Sequence, residues 1–309
     1  MKKLLITCPI PSIAKEILSK DFSVDICHKK EGLSYSELLS KISDYDVVLT
    51  MLSNKIDQKM LDKAIKLKII SNYAVGLDNI DISYAAKKGI SVYNLPDIIS
   101  NSTADFTFAI FLTLIRQVIP ASQFVLENKW NYYDPNLFLG EELDQKTFGI
   151  VGMGKCGQAV AKRASGFGLK VIYYNRSEKK FKEPYTQVGF DELLEKSDYI
   201  SLHVALNNET HHMFTEKEFK KMKKNPVLIN MARGPIVKTE DLVTALKNKW
   251  IRAAALDVTD PEPIDANHPL CSFKNCLILP HIGTATKECR YNMAKQAAMN
   301  IINHYLGTL

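Results

Sequence analysis

The stretch GIVGMGKCG sets Gly152, Gly154 and Gly157 directly after the apolar run Phe148–Val151, and a helical pattern follows from Gln158 to Ala164. In strand, turn, helix order a G-x-G-x-x-G has a physical use. The first glycine permits the turn, the second lets backbone approach a pyrophosphate, and the third lets helix and strand pack closely. The phosphates would meet the amides at the helix start, near Lys155 and Cys156. A glycine-rich turn without ligand is the bland alternative, and the strand-to-helix context counts against it.

A second signal is a missing charge. In dinucleotide folds a carboxylate about 20 residues beyond the glycines holds the adenosine ribose. Here the run VIYYNRS puts Asn175 at that place, followed by Arg176 and Ser177. Asn175 would not repel a 2′-phosphate, Arg176 can make a charge-assisted contact to it, and Ser177 can donate. The expected cofactor is therefore NADP(H), with NAD(H) as the second choice. The competing reading of Arg176 is an ordinary surface arginine after a strand.

Three later segments hold residue types suited to binding an anion and moving a proton: NMARGPIV with Arg233, LDVTDPEP with Asp257 and Glu262, and LPHIGTAT with His281. Each taken alone could be a loop cation, a solvated carboxylate or a turn histidine. Their shared position speaks against that, because each follows a predicted strand, and ligands bind at the strand ends of a doubly wound sheet.

The elements needed to position these residues are legible. Leu4–Thr7, Ser23–Ile26, Val47–Leu49, Ile69–Ser71 and Ser91–Tyr93 read as strands separated by amphipathic stretches such as Ile13–Leu18 and Tyr35–Ile42. A long helix beginning near Asn101–Asp105, with Ser102 or Thr103 available as its cap, marks a boundary. A second series then supplies the strands Phe148–Val151, Val171–Tyr174, Tyr199–His203, Val227–Asn230, Ala253–Leu256 and Leu277–Leu279. The last helix, Lys287 to Tyr305, is expected to return to the first domain. The fold class predicted is α/β, two doubly wound parallel-sheet domains. Residues 1–97 and 286–309 form a discontinuous, flavodoxin-like substrate domain, with a Rossmann domain over 98–285 inserted in it and a cleft between the two.

Composition limits the alternatives. The 309 residues are 46% hydrophobic and 24% charged, which suits a two-domain globular protein rather than a disordered chain. The net charge of +6 is spread, and its densest cluster, Lys220, Lys221, Lys223 and Lys224, lacks interleaved aromatics, so no nucleic-acid partner is expected. Six cysteines without a C-x-x-C pair fit reduced thiols in the cytoplasm. The start MKKLLITC imitates a leader, but its apolar run ends at Pro9 and reads as a strand. The apolar run Phe106–Ile115 is about half the ~20 residues a bilayer needs, so no membrane span is expected.

Taken in order, NYAVGLDNID (72–81), Thr103–Asp105, GMGKCG, HVALNNET (203–210) and the ARG, DPEP and PHIGTAT segments resemble the D-isomer-specific 2-hydroxyacid dehydrogenases over essentially the whole chain, most nearly the glyoxylate/hydroxypyruvate reductases. The resemblance implies hydride transfer between a nicotinamide and a small 2-oxo acid. It assigns Arg233 to the substrate carboxylate and carbonyl oxygen, His281 to acid–base work and Glu262 to the histidine as partner. It further implies that Asp257 holds the carboxamide, that Met231 and Ala232 line the nicotinamide, that Thr103, Ala205, Thr210 and Gly283 contact cofactor, and that Val75 and Gly76 offer amides to the substrate. The long helix after Asn101 and the segment Trp130–Leu143 would be contacts of a homodimer, local packing being the other reading. Cys156 stands where the family is usually aliphatic.

Other classes fit less well. Tyr291 and Lys295 have the Y-x-x-x-K spacing of short-chain dehydrogenases but lie in the terminal helix. His211 and His212 lack a third metal ligand, and no metal is expected. A corepressor-like dinucleotide-binding regulator of the same fold is the non-enzymatic alternative, and a chain running from first strand to Leu309 without a docking tail is expected to disfavour it. A NAD-dependent D-lactate or phosphoglycerate-type dehydrogenase is the enzymatic one.

Overall fold

The computed structural model describes residues 1–308, and Leu309, where the expected substrate domain ends, lies outside the described residues. The chain divides into two compact units, one formed by Met1–Ile99 with the segment that begins at Ala285, the other by Ser100–Thr284.

In the first unit the elements alternate as β1 (Lys2–Ile6), α1 (Ile13–Leu18), β2 (Phe22–Ile26), α2 (Tyr35–Lys41), β3 (Val47–Thr50), α3 (Gln58–Lys63), β4 (Ile69–Asn72), α4 (Ile82–Lys87) and β5 (Ser91–Tyr93). They build a five-stranded parallel sheet in the order β2-β1-β3-β4-β5. Every residue of β3 and β4 is buried, as expected of strands covered on both faces. Local chemistry sets the helix starts: Ser34 and Glu37 form a capping box on α2, and the Asp57 and Asp81 side chains accept the amides of Met60 and Tyr84.

The second unit opens with α5 (Ser100–Ile115) and α6 (Val118–Leu126), then β6 (Thr147–Val151), α7 (Lys155–Gly166), β7 (Lys170–Tyr174), β8 (Thr186–Gln187), α8 (Phe190–Lys196), β9 (Tyr199–Leu202), α9 (Glu216–Lys221), β10 (Val227–Asn230), α10 (Thr239–Lys247), β11 (Ala253–Leu256), α11 (Pro269–Ser272) and β12 (Cys276–Ile278). Its seven strands lie in the order β12-β11-β10-β9-β6-β7-β8. The chain runs outward through β6, β7 and β8, then returns to β9 beside β6 and continues the other way. The switch point of this doubly wound sheet is thus between β6 and β9. Phe111 of α5 packs edge-on to Tyr199 of β9 at 4.7 Å and to Phe148 of β6 at 5.7 Å. Such pairs add about 0.5–1.5 kcal/mol each beyond the area they bury, and they fix the sheet's base. The final helix α12 (Lys287–Leu306) belongs to the first unit, where Met293, Ala297 and Ile301 join the core of β1, β3 and β4.

Three details differ from the sequence reading. The long helix begins at Ser100, so Ser102 and Thr103 lie inside it and cap nothing; the Ser102 hydroxyl donates to the Gly283 carbonyl instead. That helix also bends by 59° between α5 and α6, where Gln117 takes a left-handed conformation at φ 53°. Among the described residues no single helix is long and apolar enough to cross a membrane. A seventh strand, β8, joins the sheet edge through two residues in an exposed segment.

Candidate active site

The glycine segment is built as a tight turn. Gly152 follows β6 with φ 98°, and a Cβ on it would lie 2.8 Å from the carbonyl of His203 at the end of β9, so a side chain is excluded on both counts. Gly154 is the residue before α7, and a Cβ there would meet nothing within 4 Å, which leaves room over the helix start. A Cβ on Gly157 would strike the Gly152 carbonyl oxygen, so this residue lets α7 press against the turn. Lys155 and Cys156 are the first residues of α7, whose opening amides have no intrahelical acceptor.

At the end of β7, Asn175 is committed to its surroundings. Its Oδ1 accepts the Met153 amide at 3.2 Å, tying β7 to the glycine turn. Its Nδ2 donates to the Ser177 carbonyl at 2.8 Å and to the Ser177 hydroxyl at 3.0 Å. Gln187 on β8 braces the same loop by donating to the Asn175 carbonyl at 3.0 Å. Arg176 points outward and pairs with Glu209 through Nη1 and Oε2. In the loop after β9, Thr210 donates its hydroxyl to the Ala205 carbonyl at 2.7 Å.

Arg233, Asp257, Glu262 and His281 come from neighbouring strand ends. Arg233 follows β10; its Nη1 donates to the Ala232 carbonyl at 2.8 Å, and the Asn230 amide group donates to the Arg233 carbonyl at 2.9 Å. Met231 and Ala232 are buried in that turn. Asp257 follows β11 and is 3% exposed; its two oxygens accept the amides of Ile282 and Gly283, each at 2.8 Å. The Asp257 carbonyl accepts the His281 amide at 2.9 Å. Asp257 thus shapes the turn after β12, in which His281 sits at φ 53°. His281 Nδ1 lies 2.7 Å from Glu262 Oε1.

Electrostatics separate the two carboxylates. Partial burial pushes the Glu262 carboxyl up, but the His281 hydrogen bond and charge, the Thr259 amide and the nearby Arg233 outweigh it and hold the group below its ordinary value of 4.5. Burial pushes the Asp257 carboxyl above its ordinary 3.8, although the Ile282 and Gly283 amides pull the other way.

Thr103 adds a further polar group. Its hydroxyl is buried without a hydrogen-bond partner, and the residue is 5% exposed. A Cβ on Gly283 would meet Asp257 Oδ2 at 2.9 Å, Met231 Cε at 3.0 Å and Thr103 Cγ2 at 3.8 Å, so these side chains converge. An orphaned hydroxyl, a buried carboxylate and the room above Gly154 fit a dinucleotide laid across the ends of β6, β10 and β11. Val75 and Gly76 lie in the first unit, in the loop after β4, where their carbonyls accept the side-chain amides of Asn94 at 2.7 Å and Asn72 at 2.8 Å.

Two residues gain a place that the sequence had not given them. Glu209 is the partner of Arg176, and nothing local in HVALNNET marks it. His203 bridges Ser201 Oγ at 2.8 Å and Cys156 Sγ at 3.5 Å, and burial pushes its imidazole down to about 3 and the thiol up to about 12, so both stay uncharged. The signal for His203 was its position at the end of the strand beside the glycine turn. Among the described residues no His, Cys, Asp and Glu cluster could hold a metal.

Residues 108–283 match the family model described as D-isomer specific 2-hydroxyacid dehydrogenase, NAD binding domain. The chain is 44% identical to a glyoxylate reductase of Thermococcus litoralis over 314 residues, covering 99% of this chain and 95% of the relative. Among solved structures it is similar to D-lactate dehydrogenase from Aquifex aeolicus, complexed with NAD and lactic acid, with a TM-score of 0.89, 29% identity and coverage of 99% and 96%. It is also similar to an NADPH-dependent glyoxylate/hydroxypyruvate reductase from Sinorhizobium meliloti, in complex with NADP and malonate, with a TM-score of 0.88, 27% identity and coverage of 98% and 93%.

Proposed function

Because the chain belongs to the D-isomer-specific 2-hydroxyacid dehydrogenase family and carries its nicotinamide dinucleotide-binding domain, we propose that it reduces glyoxylate or hydroxypyruvate to the 2-hydroxy acid with NADPH. The observation that carries this reading is the 2.7 Å pair between His281 and Glu262, at the strand ends of a fold whose relatives are glyoxylate reductases.

Bound nicotinamide supplies the hydride for the carbonyl carbon. The rest falls to this chain's residues. Glu262 is held in the carboxylate form and accepts from His281 Nδ1, which orients the ring so that Nε2 can deliver a proton to the developing alkoxide. Arg233 supplies a fixed positive charge for the substrate carboxylate and carbonyl oxygen, where a preorganised cation is worth most as charge develops. Asp257 and Thr103 offer an acceptor and a hydroxyl to the carboxamide, with Met231 and Ala232 against the ring. Gly152, Gly154, Lys155, Cys156 and Gly157 receive the pyrophosphate. Arg176 and Ser177 take the 2′-phosphate.

Exposed apolar side chains on α6 and the segment after it, Val118, Leu126, Trp130, Tyr132, Tyr133 and Leu139, support a homodimer. The second enzymatic reading, NAD-dependent reduction, is favoured by the engagement of Arg176 with Glu209 and by the NAD complex of the Aquifex relative. The deciding experiment measures NADPH and NADH oxidation with glyoxylate, hydroxypyruvate and pyruvate. Turnover of glyoxylate with NADPH above the other pairings supports the main reading, and no turnover with any of them removes it.

A further inference from the structure

Arg176 is not presented to solvent alone. Glu209 reaches it from the loop after β9, and both sides of the pair are held by their backbones. On the Glu209 side, Asn207 Oδ1 accepts the amides of Glu209 at 2.9 Å and Thr210 at 3.1 Å, while the Asn207 amide donates to the Thr210 hydroxyl at 2.9 Å. On the Arg176 side, Asn175, Ser177 and Gln187 brace the turn. The pair is therefore a property of two fixed loops. The side chains themselves stay 72% and 66% exposed, so the bond between them is weak and a stronger anion can displace it.

We propose that Glu209 is a specificity-determining residue, which competes with the cofactor's 2′-phosphate for Arg176 and so limits the preference for NADP(H) over NAD(H). This rests on the assignment of Arg176 to the 2′-phosphate. With an unphosphorylated ribose nothing charged competes, and the Arg176–Glu209 pair persists. With a 2′-phosphate the guanidinium must be shared or surrendered, and the Glu209 carboxylate is left beside a second anion. That cost falls on the phosphorylated cofactor alone. It resembles in effect the ribose carboxylate missing at position 175, but it comes from another loop and acts through the arginine.

The test is calorimetric titration with 2′,5′-ADP and 5′-AMP, which report the subsite without hydride transfer, on wild type, Glu209→Gln, Arg176→Ala and the double variant. Glu209→Gln is expected to tighten 2′,5′-ADP about two- to fivefold, the range of an exposed ion pair, without a matching gain for 5′-AMP. The gain should shrink in the Arg176→Ala background and at about 1 M salt, where the screening length falls to about 3 Å. The kcat/KM ratio for NADPH over NADH should rise by the same factor. If Arg176→Ala weakens 2′,5′-ADP but Glu209→Gln leaves it unchanged or weaker, this proposal alone is overturned. If Arg176→Ala does not weaken 2′,5′-ADP, the cofactor assignment falls and this proposal with it.

Discussion

His281 and Glu262 meet at 2.7 Å although one lies in the turn after β12 and the other in the segment after β11, so the sheet and not the local sequence joins them. In the proposed mechanism these two neighbouring strand ends supply a proton donor and the carboxylate that orients it. His281→Ala is expected to lower kcat for glyoxylate about 10²–10⁴-fold, the usual worth of a positioned acid. Arg233→Ala should cost about 10²–10³-fold through lost charge stabilisation. NADPH affinity, measured by fluorescence titration, should change little in either, because these groups meet charge that develops in the transition state. Wild-type turnover in both variants would remove the constellation.

The Glu262 carboxyl is held below its ordinary value of 4.5 in the folded protein, so its pairing adds stability that is fully present above that value and is lost as pH falls through the folded one. Urea unfolding of wild type and Glu262→Gln across the acidic range should show a constant difference above pH 4.5 that shrinks below it. The same variant should lower kcat for glyoxylate reduction, because the His281 ring loses the carboxylate that orients it. A pH-independent stability difference would mean that the pair contributes nothing through its charge.

Substrate size should follow from the segment MLSNK. Where phosphoglycerate-acting members of the family carry arginines, this chain has Met51 and Ser53. The loop is held in place, since Asn79 donates to the carbonyls of Met51 and Asn54, each at 3.0 Å. A substrate phosphate would find no guanidinium there. Turnover with glyoxylate and hydroxypyruvate should exceed oxidation of 3-phosphoglycerate, and the reverse order in a substrate screen would refute this.

How much of this could be read beforehand depends on what each feature rests on. β3, β4 and β9–β11 are short, fully buried runs, and burial on both faces leaves an apolar signature that needs no partner to recognise. The glycine turn was legible because its geometry is local. β8 was not, since two residues in an exposed segment become a strand only when β7 is beside them. The bend at Gln117 does have a local mark in Pro120, in the first turn of α6, because a proline cannot continue the preceding helix. Glu209 and the amides that grip Asp257 were hidden for the same reason: their partners are distant in sequence, and only the folded sheet brings them together.

The apolar side chains beyond α6 give the assembly prediction. Tyr133 is 85% exposed and Trp130 64%, a cost in water that a second copy would relieve. Sedimentation should show a dimer, and Trp130→Asp with Tyr133→Asp should shift it to monomer while the circular dichroism spectrum stays that of a folded α/β protein. A wild-type monomer at working concentration would leave these residues to another role.

The cofactor loop carries the most specific prediction. Arg176→Ala should weaken NADPH binding about tenfold to a hundredfold, as expected for the loss of a hydrogen bond to a charged group worth about 1.5–3 kcal/mol, with NADH little affected. Adding Asn175→Asp should turn preference toward NADH, because a carboxylate restores the ribose acceptor and repels phosphate. The structure adds a condition. Asn175 accepts from Met153 but donates to the Ser177 carbonyl and hydroxyl, so an aspartate keeps the first bond, accepts from the hydroxyl, and faces the carbonyl with a second oxygen. The loop should loosen locally, and because it is exposed the melting temperature should hardly move. The gain in kcat/KM for NADH should therefore fall short of the loss for NADPH. A double variant that keeps NADPH preference, compared side by side with wild type on both cofactors, would show that Arg176 and Asn175 do not set the choice.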